Sequence, residues 1–179
     1  MNRMIALITA GTLILAVPAT AALRTGTNGA DRISGTAGAD VIRGLDGRDH
    51  LEGRGGGDRI DGGAKDDTVR GGVGADVLYG GTGDDVLSDT AGDDRLLGRS
   101  GRDRIDGGDG ADRLSGGSGA DRLVGGRGAD VIEGGKDNDT ILARDGDRDT
   151  ITCGTGKEDR VTADRADRVA GNCETVSRQ

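Results

Sequence analysis

The sequence lacks the residues from which most globular cores are built. Its 179 residues include no phenylalanine, no tryptophan and a single tyrosine, Tyr79. Because aromatic side chains normally supply much of the surface buried in a core, an ordinary globular fold is not expected. Only two cysteines and one histidine, His50, are present, so there is no second cysteine pair with which to build a four-cysteine zinc site.

Basic residues are also too few to balance the acidic ones. The formal net charge is −8 at pH 7, which argues against nucleic acid as a partner. Several arginines directly follow an aspartate, where we expect the side chain to face solvent from a strand and to form weak ion pairs. The alternative is an arginine ladder that binds an acidic cell-surface polymer. These arginines are Arg32, Arg59, Arg95, Arg104, Arg113 and Arg122.

Glycine, by contrast, is abundant, and it recurs with a fixed period. The stretch from Gly71 to Gly135 is built of nine-residue units, Gly-Gly-x-Gly-x-Asp-x-aliphatic-x. Thirteen consecutive units keep the aspartate and the aliphatic residue two positions later, which composition alone cannot produce. The aspartates are Asp31, Asp40, Asp49, Asp58, Asp67, Asp76, Asp85, Asp94, Asp103, Asp112, Asp121, Asp130 and Asp139. The aliphatic residues are Ile33, Ile42, Leu51, Ile60, Val69, Leu78, Leu87, Leu96, Ile105, Leu114, Leu123, Ile132 and Ile141.

Each unit has the properties of a calcium-binding loop followed by a short strand. Glycine reaches positive φ without a Cβ clash, so a glycine-rich loop can turn its carbonyl oxygens towards a cation. Calcium takes six to eight oxygen ligands, and the aspartate adds negative charge and carboxylate oxygens. The x-aliphatic-x segment is a minimal strand with one apolar side chain on its inner face. One such side chain cannot form a core, so the units must stack.

This pattern resembles the RTX, or hemolysin-type, calcium-binding nonapeptide repeat. The resemblance implies an all-β fold, a parallel β-roll (β-solenoid) in which two nonapeptides make one turn and multiple Ca²⁺ ions lie between loops two repeats apart. It implies that all thirteen repeat aspartates are metal ligands, so that Asp103 faces loops on both sides whereas Asp31 lies at the start of the stack. Thirteen repeats predict six and a half turns, a rod roughly 30 Å long. The central pairs are Asp76–Asp94, Asp85–Asp103, Asp94–Asp112, Asp103–Asp121 and Asp112–Asp130.

Three units depart from the glycine pattern. Lys65 and Asp137 replace the third glycine of their units, where we expect the loop to require positive φ. Asp89 and Thr90 replace the first two glycines of another unit. We expect each departure to weaken its loop, and we expect lysine to be the worse replacement, because aspartate tolerates the left-handed region better.

Residues 1–21 predict a secretory signal peptide, cleaved after Ala21 or Ala22. A short positive start precedes an apolar run from Met4 to Val17, and small residues follow at the cleavage site. The run is shorter than the roughly twenty residues that a membrane span needs, so we expect no span after cleavage; a retained anchor is the alternative. The protein is therefore expected to be secreted.

Three segments are predicted after the signal peptide: a lead-in at residues 22–25, the β-roll at residues 26–142 and a C-terminal capping segment at residues 143–179. In the last segment the period slips and the glycine pairs disappear, as is typical of the ends of solenoids. Cys153 and Cys173 lie there, and an even cysteine count in a secreted chain predicts a disulfide.

The capping segment also imitates the start of an EF-hand loop. Asp145, Asp147 and Asp149 have the alternate spacing of its first ligands. The sixth position, however, is Thr150 instead of glycine and the twelfth is Gly156 instead of glutamate, so an EF-hand is not favoured.

No catalytic constellation is evident in the sequence. Ser118 lies in Gly-x-Ser-x-Ala, which is not the Gly-x-Ser-x-Gly of a nucleophile elbow. Typical RTX proteins lack an N-terminal signal and leave by a dedicated secretion machine, so that family's toxin activity and export route are not carried over. We predict a non-enzymatic, secreted calcium-binding protein that is disordered without calcium and folds in its presence. The alternatives are an adhesive or extracellular-matrix module that uses the rigid rod to hold a cell-surface or extracellular polymer, and a carbohydrate-active β-solenoid enzyme.

Overall fold

The computed structural model describes residues 21–178 of the chain. The predicted signal peptide lies outside these residues except for Ala21. The described residues form eighteen short strands and no helix. They therefore contain no helix that could cross a membrane. The strands are β1 (Leu23–Thr25), β2 (Arg32–Ser34), β3 (Val41–Asp46), β4 (His50–Gly55), β5 (Arg59–Ala64), β6 (Thr68–Val73), β7 (Val77–Thr82), β8 (Val86–Ser88), β9 (Arg95–Ser100), β10 (Arg104–Asp109), β11 (Arg113–Ser118), β12 (Arg122–Arg127), β13 (Val131–Lys136), β14 (Thr140–Ala143), β15 (Thr150–Gly154), β16 (Arg160–Ala163), β17 (Arg168–Val169) and β18 (Thr175–Arg178).

Successive strands alternate between two parallel sheets. The odd-numbered strands form one nine-stranded sheet and the even-numbered strands form the other. Residues 21–178 therefore make nine turns of a parallel β-solenoid, which confirms the predicted fold class. The roll is longer than the six and a half turns that the thirteen repeats predict, because β1 from the lead-in and β15 to β18 from the tail extend the same sheets. Eight spacings of about 4.8 Å give a roll about 40 Å long.

The register follows the eighteen-residue repeat of two units. Ile42 pairs with Ile60, and Leu114 with Ile132, so each aliphatic side chain stacks on its counterpart one turn away. Twelve of the thirteen predicted aliphatic residues, from Ile42 to Ile141, are at most 2 % exposed. Neighbouring positions on each strand face outward because strand side chains alternate. The core is thus one narrow apolar column from each sheet.

The tail continues both sheets with a shifted register. Val131 pairs with Thr150 and Thr140 with Arg160, offsets of 19 and 20 residues in place of 18. The extra residues are accommodated in the loops, including the one between β14 and β15. That loop is flanked by strands and not by helices, which agrees with the sequence evidence against an EF-hand.

A disulfide joins Cys153 of β15 to Cys173, which precedes β18. The Cα atoms are 5.2 Å apart, and this confirms the predicted pairing. Closing a loop with a sequence separation of 20 residues stabilises the fold by about 3 kcal/mol in the chain-entropy model. The bond therefore holds the last turns together where the repeat pattern is weakest.

Candidate metal centre

The repeat aspartates lie in two columns, one along each edge of the roll. Each aspartate comes directly before its strand, so those that precede odd-numbered strands share one edge and the others share the opposite edge. Twelve of the thirteen, from Asp40 to Asp139, are at most 2 % exposed, and Asp31 is half-buried. Buried carboxyl groups need partners, because desolvating an unpaired charge is unfavourable.

One carboxyl oxygen of each buried aspartate has such a partner. The backbone N–H of Asp85 donates to Oδ1 of Asp103 over 2.8 Å, and the N–H of Asp103 donates to Oδ1 of Asp121 over 2.8 Å. All five predicted pairs eighteen residues apart make this contact. The pairing expected from the sequence is therefore present, and Asp103 has an aspartate of the same column on both sides.

The second oxygen, Oδ2, has no hydrogen-bond partner in most of the column. It faces a backbone carbonyl instead: a Cβ built on Gly62 would lie 2.6 Å from Oδ2 of Asp67 and 2.5 Å from the carbonyl oxygen of Gly80. Two acceptors aimed at one point need a donor or a cation between them. The buried Oδ2 atoms without a partner belong to Asp49, Asp58, Asp67, Asp76, Asp85, Asp89, Asp94, Asp103, Asp112, Asp121, Asp130, Asp139, Asp149 and Asp159.

The loops turn further carbonyl oxygens towards the next turn by adopting positive φ. Gly81 and Gly101 have φ values of 121° and 132°, and a Cβ on either would collide with the carbonyl oxygen one turn earlier. Lys65 and Asp137 also have positive φ, at 77° and 74°, which confirms the expectation for the third glycine position. The loop conformation is therefore kept even where its glycine is lost.

Burial raises the pKa of the repeat aspartates from Asp58 to Asp139, and neighbouring carboxylates add to this effect in most of them. The pKa of Asp85, Asp121 and Asp130 rises to about 7, from an ordinary value of 3.8. Desolvation is the largest cause in each, the backbone hydrogen bond opposes it, and like charges one turn away raise the value further. A bound cation would reverse the balance by favouring the ionised carboxylates.

The first two repeat aspartates, Asp31 and Asp40, have hydrogen-bond donors at Oδ2. Thr27 donates its N–H to Oδ2 of Asp31 over 2.6 Å, and Thr36 donates its N–H to Oδ2 of Asp40 over 2.5 Å. Burial opposes ionisation of Asp40, but the hydrogen bonds from Thr36 and Ala22, together with Arg24, hold its pKa below the usual 3.8. These two carboxylates therefore depend less on a cation than those further along the roll.

The structure extends the column beyond the thirteen predicted residues. Asp149 and Asp159 accept the N–H groups of Asp130 and Asp139 through Oδ1, as the repeat aspartates do. Asp167 does the same for Asp149, and Glu174 accepts the N–H of Asp159 over 2.9 Å. The Asp-x-aliphatic signal at the first three could have identified them, and Glu174-Thr175-Val176 has the same spacing with glutamate in place of aspartate.

Lys65→Gly is expected to tighten the apparent calcium affinity more than Asp137→Gly. A side chain in the left-handed region costs roughly 1–2 kcal/mol, and the lysine also adds a positive charge to a loop that faces carbonyl oxygens. Glycine loosens the unfolded chain by about 0.4–1 kcal/mol, which offsets part of the gain. Calcium titrations of both variants beside the parent protein check this. A Lys65→Gly midpoint no lower than the parent's would mean that the loop at Lys65 does not face a cation.

Comparison with known proteins gives one family match. The family model of the RTX calcium-binding nonapeptide repeat matches the chain in four copies, at residues 25–60, 52–87, 88–123 and 115–151. Together the copies span residues 25–151, well over half of the chain, and they contain every aspartate predicted from the period. No curated protein matches the chain.

Proposed function

The chain belongs to the RTX calcium-binding nonapeptide repeat family, and we propose that it is a secreted protein whose folding is coupled to extracellular calcium. Several Ca²⁺ ions bind between successive turns of the roll, along both aspartate columns. The role is that of a calcium-dependent binding module and not of an enzyme. The observation that carries the proposal is the row of buried Oδ2 atoms, each without a hydrogen-bond donor.

The ligands proposed are the thirteen repeat aspartates with the carbonyl oxygens of their loops. Carboxylate and carbonyl oxygens suit calcium, which prefers hard oxygen donors and tolerates irregular geometry. Asp49 to Asp139 carry most of the binding because their Oδ2 atoms have no other partner. Asp31 and Asp40 contribute less, since Thr27 and Thr36 already donate to them. Asp149 and Asp159 extend the set into the tail.

Coupling to folding follows from the thinness of the core. Each strand buries one aliphatic side chain, while each loop brings a carboxyl group to within hydrogen-bonding distance of the next loop's backbone. Without a cation, the buried carboxylates repel one another and oppose compaction. A ligand that binds only the folded state stabilises it by mass action. The predicted signal peptide supports export to a compartment where calcium is plentiful.

Asp103→Asn is expected to raise the calcium concentration needed for folding, whereas Asp31→Asn is expected to change it little. Asp103 lies between two column neighbours and has an unpartnered Oδ2, while Oδ2 of Asp31 is held by Thr27. Asparagine keeps an oxygen for the backbone hydrogen bond and removes the charge. Circular dichroism during calcium titration measures both midpoints. Equal midpoints would contradict the assignment of the column as the calcium site.

A second candidate is an adhesive or matrix module, favoured by the arrangement of arginines on the outer faces. Arg95 pairs in register with Arg113 on one sheet, and Arg104 with Arg122 on the other, and all four are exposed. Adjacent cationic side chains at the strand spacing suit an extended polyanion. Pull-down of the calcium-loaded chain with an insoluble uronate polymer tests this, with Arg95→Gln/Arg113→Gln as the comparison variant. Depolymerisation of that polymer would support an enzyme instead.

A further inference from the structure

One loop places a second carboxylate, and not a backbone carbonyl, opposite its aspartate. Ten described glycines occupy the first position of a nine-residue unit and share one environment. A Cβ built on any of them would contact Oδ2 of the aspartate in the same unit and the carbonyl oxygen of the residue at the equivalent position one turn later. These glycines are Gly26, Gly35, Gly44, Gly53, Gly62, Gly80, Gly98, Gly107, Gly116 and Gly134. At Gly71 a carboxylate takes the place of the carbonyl, because a Cβ built on Gly71 would contact Oδ2 of Asp76 and Oδ2 of Asp89.

Asp89 thereby joins two aspartates of the column. The carboxylate oxygens of Asp76, Asp89 and Asp94 lie within 4.8 Å of one another, and residues 21–178 contain no other such group of three acidic, histidine or cysteine side chains. Asp76 and Asp94 are 1 % and 2 % exposed. Oδ2 of each of the three is buried and has no hydrogen-bond partner.

The backbone around Asp89 is shaped to hold its carboxylate in this position. Strand β8 ends at Ser88 after three residues, whereas the neighbouring strands β6 and β10 have six. Beyond that end, Oδ1 of Asp89 accepts the N–H of Thr90 over 2.6 Å and that of Gly72 over 3.3 Å. These two bonds fix one oxygen to the backbone and leave Oδ2 facing Asp76.

We propose that Asp76, Asp89 and Asp94 form a cation site distinct from the others, which fills first and prefers a trivalent ion over calcium. This inference rests on the proposed function, since it concerns one position in the same columns. It reverses the expectation from the sequence that replacing the two glycines by Asp89 and Thr90 weakens this loop. The affinity of oxygen-ligand sites for calcium depends on the number of charged ligands. A site with three carboxylates has more negative charge than one with two carboxylates and a carbonyl, and a lanthanide of charge +3 gains most from it.

The test is a terbium titration of the calcium-loaded protein, followed by terbium luminescence. In the wild-type chain, about one terbium per chain should bind before the rest. Asp89→Asn, which removes one charge, and Asp89→Gly, which restores the usual glycine of the repeat, should weaken that first step at least about tenfold. Asp46→Asn removes the same charge from the exposed last residue of β3 and should leave the first step unchanged.

The outcomes separate this inference from the function on which it rests. If terbium and calcium fail to bind the wild-type chain at all, the proposed function itself is wrong. If both bind but Asp89→Asn and Asp89→Gly titrate like the wild type, the columns bind metal and the distinct site is refuted. A loss of the first step in Asp46→Asn as large as that in Asp89→Asn also overturns it, because the effect is then one of overall charge. Asp89→Gly keeps the test open should Asp89→Asn fold poorly.

Discussion

In a calcium chelator at neutral pH, the mature chain is expected to lose its β-sheet circular dichroism signal, and calcium is expected to restore it. The described fold buries fourteen aspartate Oδ2 atoms without a donor, while its core is one aliphatic side chain per strand. Neither feature favours a compact state without a cation. Extracellular calcium modules have dissociation constants of about 10⁻⁴–10⁻³ M, so the transition should fall in that range.

Magnesium provides the matched control for this transition. It is smaller, requires near-octahedral geometry and gives up water reluctantly, so equal concentrations should restore far less β structure. The disulfide should not change the outcome qualitatively, because it closes only the last turns. A chelated sample whose β signal equals that of the calcium form would show that the aliphatic columns suffice to hold the roll.

Acid is expected to replace calcium in part. In chelator, the chain should gain β structure when the pH is lowered from about 7.5 to about 5. The pKa of Asp85, Asp121 and Asp130 is about 7 in the fold and close to 3.8 in the unfolded chain. The folded state therefore binds more protons between these values, and its stability falls as pH rises through this window. A protonated Oδ2 also becomes a donor, and in most repeats it faces a carbonyl oxygen.

With limiting calcium present, the pH dependence should reverse. Protons then compete with the cation for the same carboxylates, so the calcium midpoint should rise as pH falls. Circular dichroism at both pH values, with and without calcium, measures the four states. Sedimentation must accompany it, because the sequence pI is about 4.7 and precipitation near that pH would mimic folding. Less β structure at pH 5 than at neutral pH in chelator would contradict the role given to the buried carboxyl groups.

Asp121→Asn and Asp40→Asn form a matched pair for this pH effect. Burial raises the pKa of Asp121 to about 7, whereas the hydrogen bonds from Thr36 and Ala22 overcome burial and hold that of Asp40 below 3.8. Replacing Asp121 should therefore reduce the gain in β structure on acidification in chelator. Replacing Asp40 should leave that gain nearly unchanged.

The repeating part of the fold could be predicted from the sequence because one period governs both local and tertiary structure. An aspartate and an aliphatic residue every nine positions specify the strand, its inward side chain and its partner eighteen residues away, as the pairing of Ile42 with Ile60 shows. The glycine pattern likewise predicts the positive φ at Lys65.

The contacts that could not be predicted from the sequence depend on individual side chains and not on the nine-residue period. The hydrogen bond from Thr36 to Asp40 and the approach of Asp89 to Asp76 follow from where one short side chain points once the loops are stacked. The tail was underestimated for a related reason. Thr140 pairs with Arg160, 20 residues away, and Arg160 pairs with Thr175, only 15 residues away. Glu174 therefore comes to lie opposite Asp159, where the nine-residue period predicts no acidic residue.

A crystal structure of the chain grown with calcium tests the central claim most directly. Several calcium ions are expected along each edge of the roll, each bound by Oδ2 atoms of the repeat aspartates and by loop carbonyl oxygens. Successive ions should lie about 4.8 Å apart where neighbouring sites are filled. A folded roll whose Oδ2 atoms are bound by water or protein donors, with calcium absent or confined to the surface, would contradict it.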